Sequence, residues 1–207
     1  MKDNPWFTPG WVGAYLVCFF LAFLYFLEPL INHRKHSFDI PNAANTARGT
    51  FPVGEALSVI SAGNFSGTKL SNQETLRTLL LKLGRPEGKL LVNFWATWCD
   101  PCIEEIPSLG TLSEQLRTRS KSSAPLVVTI SVDEKSQSVL DFQKKEGKPL
   151  PFLVLHDPDG AFSKQLGITK FPETYLIDSE GKTIQKWIGP QDWLSLEILQ
   201  FLKKSCT

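Results

Sequence analysis

Methionine and histidine are scarce in this chain of 207 residues, and their scarcity narrows the metal chemistry open to it. Its one methionine is Met1, and of its three histidines only His156 lies after residue 36. A structural zinc site needs four nitrogen or sulfur ligands, and Cu(I) sites favour several thiolate and thioether ligands. The sequence therefore argues against a zinc site and leaves Cu(I) delivery only as an alternative.

A strong charge of either sign is also absent. Lysine and arginine number 22 against 21 aspartates and glutamates, which gives a formal net charge of +1. Nucleic-acid-binding domains usually carry a basic excess, so the sequence indicates no nucleic acid partner. We find no internal repeat or low-complexity tract, and the length fits one well-buried domain with appendages. We place this domain at residues 53–207.

Charged residues are missing from a long stretch near the N-terminus. Residues 11–27 read WVGAYLVCFFLAFLYFL and, with the EPLIN that follows, are long enough for a short membrane-spanning helix. A cleaved signal peptide is the alternative, although no small-x-small cleavage site follows the run. We predict a flank at residues 1–10, a transmembrane anchor at 11–31 and a polar linker at 32–52.

Strand-like and helix-like segments alternate from residue 89 onward. KLLVNFWA and PLVVTISVD are continuous apolar runs rich in β-branched and aromatic residues, as in strands covered on both faces. Two later strand-like runs flank the turn SEG, which predicts an antiparallel pair before a final amphipathic helix. This order predicts an α/β fold with a mixed central β-sheet and helices on both faces. The predicted strands are 89–96, 125–133, 151–157, 173–178 and 182–189, and the predicted helices run from near residue 99 to about 120 and over 136–147, 161–168 and 190–205.

Residues 53–88 carry a weaker pattern. ALSVISAGNFSGTKLS is compatible with a small hairpin. NQETLRTLLLKLG has the apolar spacing of a helix, with Gly84 as its stop. We therefore expect a hairpin followed by a helix in this part of the domain.

The chain has four cysteines, and two of them, Cys99 and Cys102, form a close pair in the segment WATWCDPC. Of the other two, Cys18 lies in the predicted membrane span and Cys206 lies near the C-terminus. A disulfide that closes so short a loop adds little stability, because it removes little entropy from the unfolded chain. Cys99 falls where a strand ends and a helix begins, so its sulfur should face free amide groups at the positive end of the helix dipole. Such a position favours the thiolate and lowers the thiol pKa below its usual value of about 8.5. The pair therefore predicts redox chemistry.

The segment NFWATWCDPCIEEIP resembles the active site of the thioredoxin superfamily, with Trp before the first cysteine and Pro before the second. Plain thioredoxins usually have a buried Asp that accepts a proton at the position of Asn93, a role that an amide cannot fill at neutral pH. The membrane-anchored TlpA/ResA/CcmG-type branch has Asn there and reads Cys-x-x-Cys-x-x-Glu, which Glu105 completes. Downstream, GITKFPETYLID is similar to a segment of that branch whose proline is cis. The resemblance covers about residues 88–205 and implies a thioredoxin fold preceded by one N-terminal transmembrane helix.

Helical geometry supports a role for Glu105. Cys102 and Glu105 are three positions apart and share a helix face, whereas Glu104 is rotated away by about 100°. Burial would raise the pKa of Glu105 toward neutrality and let it take the proton of Cys102. The alternative is an ordinary surface carboxylate in the first turns of a helix.

The resemblance also implies which residues bind the substrate. Sequence physics alone favours a trans peptide bond before Pro172, and the family pattern reverses that expectation. A cis Phe171–Pro172 bond would direct the Phe171 backbone toward the sulfurs, where it could pair with an incoming peptide as a short added strand. The Phe171 ring is larger than residues common at this position and could restrict what binds; its alternative role is to cover core. The implied substrate-binding residues are Trp98, Asp100, Pro101, Phe171 and Pro172.

These observations predict a membrane-tethered thiol–disulfide oxidoreductase that works without a cofactor. Cys99 would attack a protein disulfide, and Cys102, helped by Glu105, would resolve the mixed disulfide. The resemblance implies a disulfide-bearing protein substrate, with apocytochrome c as a candidate, and a DsbD/CcdA-type membrane protein as the reductant. A dithiol oxidant or isomerase shares every motif and stays open, as does Cu(I) delivery.

The resemblance places the chain in a bacterial inner membrane, as a single-pass protein whose thioredoxin-like domain lies in the periplasm. Arg34 and Lys35 follow the predicted span, and by the positive-inside rule they would place that domain in the cytoplasm. Our expectation follows the resemblance.

Overall fold

A computed structural model describes residues 51–54, 56–61, 71, 73–118 and 124–205, all within a compact unit that spans Asn45–Thr207. The predicted flank, anchor and most of the linker lie outside the described residues, as do Cys18 and Cys206. Within the described part, the structure has no helix that is both long and apolar enough to cross a membrane.

The described residues form seven strands and five helices. In chain order they are β1 (Ala56–Ser61), β2 (Gln73–Thr75), α1 (Leu76–Lys82), β3 (Leu90–Trp95), α2 (Asp100–Thr118), β4 (Leu126–Ser131), α3 (Ser136–Lys145), β5 (Leu153–His156), α4 (Ala161–Gln165), β6 (Glu173–Ile177), β7 (Thr183–Ile188) and α5 (Leu196–Ser205).

All seven strands belong to one mixed sheet with the order β2-β1-β5-β4-β3-β6-β7. Strands β3, β4 and β5 run parallel, and β6 and β7 form the predicted antiparallel pair beside β3. The carboxyl ends of parallel strands meet at one edge of a sheet, so the chain that leaves β3 toward Cys99 and the chain that leaves β4 toward Asp133 emerge side by side. The predicted mixed α/β fold is confirmed, and this edge positions the cysteine pair.

Two apolar cores cover the two faces of the sheet, because successive side chains of a strand point to opposite faces. In β3, Leu91 and Trp95 pack with α2, α3 and α5, whereas Leu90, Val92 and Phe94 pack with α1 and α4. Both cysteines belong to the first core. The redox pair is therefore held by packed secondary structure on one face of the sheet.

The helix predicted in NQETLRTLLLKLG starts later than its apolar pattern indicates. Gln73–Thr75 form strand β2 against β1, and the helix begins at Leu76. The Thr75 hydroxyl accepts the N–H of Thr78 and the Thr78 hydroxyl accepts that of Thr75, a reciprocal cap that fixes this start. Gly84 follows the helix with a φ of +66°, as expected for a stop.

The C-terminal helix is also shorter than the predicted 190–205, because α5 begins at Leu196. The preceding segment docks on α2 through its polar groups. The N–H of Gln191 donates to Glu105 Oε2 at 2.9 Å, and the N–H of Trp193 donates to Ser108 Oγ at 3.4 Å. Those contacts hold residues 190–195 outside a helix.

Candidate active site

Cys99 and Cys102 are joined by a disulfide at the N-terminus of α2. Cys99 immediately precedes the helix, and its carbonyl accepts the N–H groups of Cys102 and Ile103 at 3.0 and 3.1 Å. Cys99 retains 7% exposure, whereas Cys102 is fully buried. An incoming thiol or disulfide can therefore reach Cys99 first, and Cys102 reacts behind it.

Of the residues predicted to bind substrate, Trp98, Asp100 and Pro101 adjoin the cysteines in the chain, and Phe171 packs against the core that holds both sulfurs. Trp98 is 63% exposed and its ring meets Phe171 edge to face, with 6.0 Å between ring centroids. Asp100 and Pro101 are exposed on the first turn of α2. The Phe171–Pro172 peptide bond is cis, and the Pro172 carbonyl accepts the N–H of Gly189. The structure thus brings an aromatic pair and the start of a helix together at the sulfurs.

Glu105 is buried, with 3% of its surface exposed, whereas Glu104 is exposed as predicted. Burial raises the pKa of Glu105 from 4.5 to about 7, although three hydrogen bonds that favour the charged form act against burial. Among the described residues, the groups that act on this pKa besides burial are three neutral donors. Glu105 lies one helical turn after Cys102 in α2, so a carboxyl able to change protonation near neutral pH sits beside the buried cysteine.

Three N–H groups from distant parts of the chain donate to the Glu105 carboxylate. Asn93 Nδ2 reaches Oε1 at 2.8 Å, and the Gln191 N–H and Trp193 Nε1 reach Oε2 at 2.9 and 3.2 Å. Asn93 also donates to Thr174 Oγ1 at 2.9 Å, opposite it in the β3–β6 ladder. Sequence reasoning did not predict the hydrogen bond of Trp193 to this carboxylate. No local pattern indicates that bond, since the partners lie 88 residues apart.

Asp133, which sequence reasoning also missed, anchors the loop before Cys99. Its buried carboxylate accepts the N–H and hydroxyl of Thr97 at 3.0 and 2.7 Å and the hydroxyl of Ser131 at 2.8 Å. Its carbonyl lies 2.8 Å from His156 Nε2. A polar residue just after one of two adjacent parallel strands was the available signal, because such residues meet at one edge of the sheet.

A third buried acid, Glu173, follows the cis proline but is engaged differently. Its carboxylate accepts the Tyr175 hydroxyl and pairs with Lys186 Nζ at 2.6 Å. Burial, followed by the contact with Glu173, raises the pKa of Tyr175. Tyr175 belongs to the core opposite the one that holds the cysteines. Glu173 therefore forms a charge-compensated structural pair, and Glu105 is better placed to exchange a proton with the cysteines.

Metal ligands are sparse around these groups. Within the described ranges, no three His, Cys, Asp or Glu side chains are arranged to hold a metal ion. The site combines one accessible sulfur, one buried sulfur and one buried carboxyl, which is sufficient for thiol–disulfide exchange with transfer of a proton.

Comparison with known proteins gives this arrangement a family. The family model described as Redoxin matches residues 61–195. The thiol-disulfide oxidoreductase ResA of Bacillus thuringiensis subsp. konkukian is 33% identical over 144 residues, which cover 69% of this chain and 75% of that protein. The thiol:disulfide interchange protein DsbE homolog of Paracoccus denitrificans is 35% identical over 106 residues, covering 51% of this chain and 54% of that protein.

Solved structures agree on the fold. A thiol:disulfide interchange protein of the thioredoxin family from Chlorobium tepidum superposes with a TM-score of 0.55 at 21% identity. The superposition covers 78% of this chain and 99% of that one. At this identity the likeness concerns the fold, which is that of thioredoxin.

Proposed function

This chain belongs to the redoxin family and is a thioredoxin-like thiol–disulfide oxidoreductase of the TlpA/ResA/CcmG type, and from that premise we propose that it reduces disulfides of extracytoplasmic proteins. We also propose that residues 11–31 tether it to a membrane. The observation that carries the proposed chemistry is the placement of Glu105, a buried carboxyl with a pKa raised to about 7 by burial, one turn after Cys102.

The reaction proceeds through two exchanges. The Cys99 thiolate attacks a sulfur of the substrate disulfide, forms a mixed disulfide and releases the first substrate thiolate. Cys102 then gives its proton to Glu105 and attacks the Cys99 sulfur. The second substrate thiolate leaves and takes up a proton. The protein ends with the Cys99–Cys102 disulfide, and two electrons have passed to the substrate.

The difference in exposure between the two cysteines provides the first test. In a chain carrying Cys18→Ser and Cys206→Ser, Cys102→Ser should trap a mixed disulfide through Cys99, because the resolving thiol is gone. The matched variant Cys99→Ser should trap little, since Cys102 is fully buried. Mass spectrometry identifies the attached protein. Equal trapping by both variants would contradict the assigned order of attack.

The role of Glu105 is tested separately. Glu105→Gln cannot accept a proton, so it should slow resolution of the mixed disulfide and remove a group titrating near pH 7 from the rate profile. The exposed Glu104→Gln is the matched control. Unchanged resolution kinetics in Glu105→Gln would remove Glu105 from the mechanism.

The direction of electron flow is measured by the reduction potential. A value near that of thioredoxin, about −270 mV, supports the reductant, and a value near about −120 mV identifies an oxidant. Stoichiometric, tight Cu(I) binding without disulfide reductase activity would instead identify a delivery module.

For the partners we propose an apocytochrome c with a Cys-x-x-Cys pair as substrate and a DsbD/CcdA-type membrane protein as reductant. Both proposals come from the family resemblance. Reduction of an oxidised apocytochrome c peptide, set against its Cys-to-Ser form, tests the substrate.

We place the domain in the periplasm of a bacterium, with the anchor in the inner membrane. Added protease should digest the domain in spheroplasts of expressing cells. Protection until the membrane is lysed would place the domain in the cytoplasm, as the charges of Arg34 and Lys35 favour.

A further inference from the structure

Trp193 lies in the segment between β7 and α5 and reaches the active-site carboxyl from outside the thiol motif. It is fully buried, and its indole Nε1 donates to Glu105 Oε2 at 3.2 Å. Its own backbone N–H donates to Ser108 Oγ at 3.4 Å, one turn further along α2. The ring is thus fixed at both its indole and its backbone against the helix that carries Cys102.

The three described donors to the Glu105 carboxylate are neutral, and they come from two parts of the chain packed against α2. Asn93 projects from β3, while Gln191 and Trp193 come from the segment before α5. In the part of the chain that the structure describes, no cation pairs with this carboxylate. Along α2 the adjacent Glu104 is exposed, and Cys102 lies one turn before Glu105. The charge state of Glu105 therefore depends on these three N–H groups acting against burial.

We propose that Trp193 is a positioning residue for the thiol–disulfide reaction: its indole N–H orients the Glu105 carboxylate and favours the charged form that accepts the proton of Cys102. The proposal rests on the proposed function, in which Glu105 takes that proton. A hydrogen bond to a charged acceptor is stronger than one to a neutral acceptor, so the indole stabilises the carboxylate more than the carboxylic acid. Loss of the N–H should therefore increase the affinity of Glu105 for its proton.

Trp187 provides a matched control within the same core. Its ring packs edge to face on Trp193, with 5.5 Å between centroids, and on Phe201 at 5.7 Å. Glu105 receives no hydrogen bond from it. Trp187→Phe changes the packing around Trp193 but leaves the indole–carboxylate bond, whereas Trp193→Phe removes that bond and keeps an aromatic ring.

The decisive measurement is the titration of Glu105 itself, made on the oxidised full chain in a non-ionic detergent. The two disulfide-bonded cysteines do not titrate in this state, and the ¹³C signal of the Glu105 carboxyl, assigned by its loss in Glu105→Gln, reports its proton directly. In Trp193→Phe, the Glu105 carboxylate should bind its proton about tenfold more tightly, which raises the pKa of Glu105 by about one. Trp187→Phe should titrate as the wild type does.

A second substitution covers the case in which Trp193→Phe does not fold. β-(3-Benzothienyl)alanine at position 193 keeps the bicyclic shape and replaces the N–H with sulfur, and it should give the same upward shift. In steady-state assays, both variants should move the rising limb of the pH–rate profile to higher pH and recover wild-type turnover at alkaline pH.

These experiments test the positioning role of Trp193 and the proton-accepting role of Glu105 separately. A wild-type titration in the variants at position 193, or an equal shift in Trp187→Phe, overturns the positioning role. Wild-type turnover in Glu105→Gln overturns the proton-accepting role, while the carboxyl titration still decides whether Trp193 controls the charge of Glu105.

Discussion

Glu105→Gln should remove a pH dependence from the stability of the oxidised protein. The native carboxyl has a pKa raised to about 7 by burial, and its ordinary value, which we take for the unfolded chain, is 4.5. Between these values the native state holds a proton that the unfolded state has released, so the free energy of unfolding falls as pH rises. Below about pH 4.5 both states are protonated and the penalty is absent. Above about pH 7 it is complete.

The size of the effect follows from the two pKa values. Their difference, multiplied by about 1.4 kcal/mol for each pKa unit, gives about 3 kcal/mol of stability lost between acid and mildly alkaline pH. Glutamine does not titrate and lacks this term. The glutamine side chain also places its own amide group against Asn93 Nδ2, which lowers the free energy of unfolding by a roughly constant amount at every pH.

Urea unfolding of the oxidised full chain in a non-ionic detergent, repeated from about pH 4 to about pH 8.5, checks the reasoning. The wild-type free energy of unfolding minus that of Glu105→Gln should decrease by about 3 kcal/mol across the range. The wild-type free energy of unfolding minus that of Glu104→Gln should not change with pH, because Glu104 is exposed. A flat difference for Glu105→Gln would show that burial does not hold a proton on this carboxyl.

Two further predictions concern the groups around the sulfurs. Asp133→Asn should lower the free energy of unfolding by about 1 to 3 kcal/mol, because the buried carboxylate accepts both the N–H and the hydroxyl of Thr97; an unchanged urea midpoint at pH 7 would contradict this. Trp98→Ala should raise KM for a protein disulfide and leave the reduction of a small disulfide unchanged, because 63% of Trp98 is exposed beside the pair. Leu196→Ala, at an exposed apolar residue at the start of α5, is its control, and a similar rise in KM there would refute a local contact.

Local sequence patterns predicted most of the fold because most elements are set by local periodicity and burial. The run LLVNFW is buried along its whole length, and its residues alternate between the two cores as a central strand requires. The patterns were wrong where tertiary contacts outweigh propensity. Residues 190–195 are compatible with a helix, but the backbone N–H groups of Gln191 and Trp193 donate to side chains of α2 instead. Gln73–Thr75 belong to a strand because β1 supplies a partner edge.

The candidate site divides in the same way. Cys102 and Glu105 could be predicted because their spacing of three places them on one face of α2, and Cys99 could be predicted because it immediately precedes that helix. The partners of Glu105 could not, because Asn93 lies 12 residues away and Trp193 lies 88 residues away, and only the folded sheet and helices bring them together. Short-range patterns locate the reacting atoms. The hydrogen bonds that set their protonation depend on the tertiary fold.

Asn93 shows what the fold adds to the motif. In plain thioredoxins an acid usually occupies this strand position and accepts the proton. A carboxylate here would lie within hydrogen-bonding distance of Glu105, and two such acids could not both ionise at low cost. The amide instead donates to Glu105 and to Thr174, so the strand supports a carboxylate carried by the helix. Trp193 donates to the same carboxylate from the segment before α5. The carboxyl that we propose as proton acceptor and the Cys102 thiol lie one turn apart on one helix, so their spacing does not depend on the substrate that reaches Cys99.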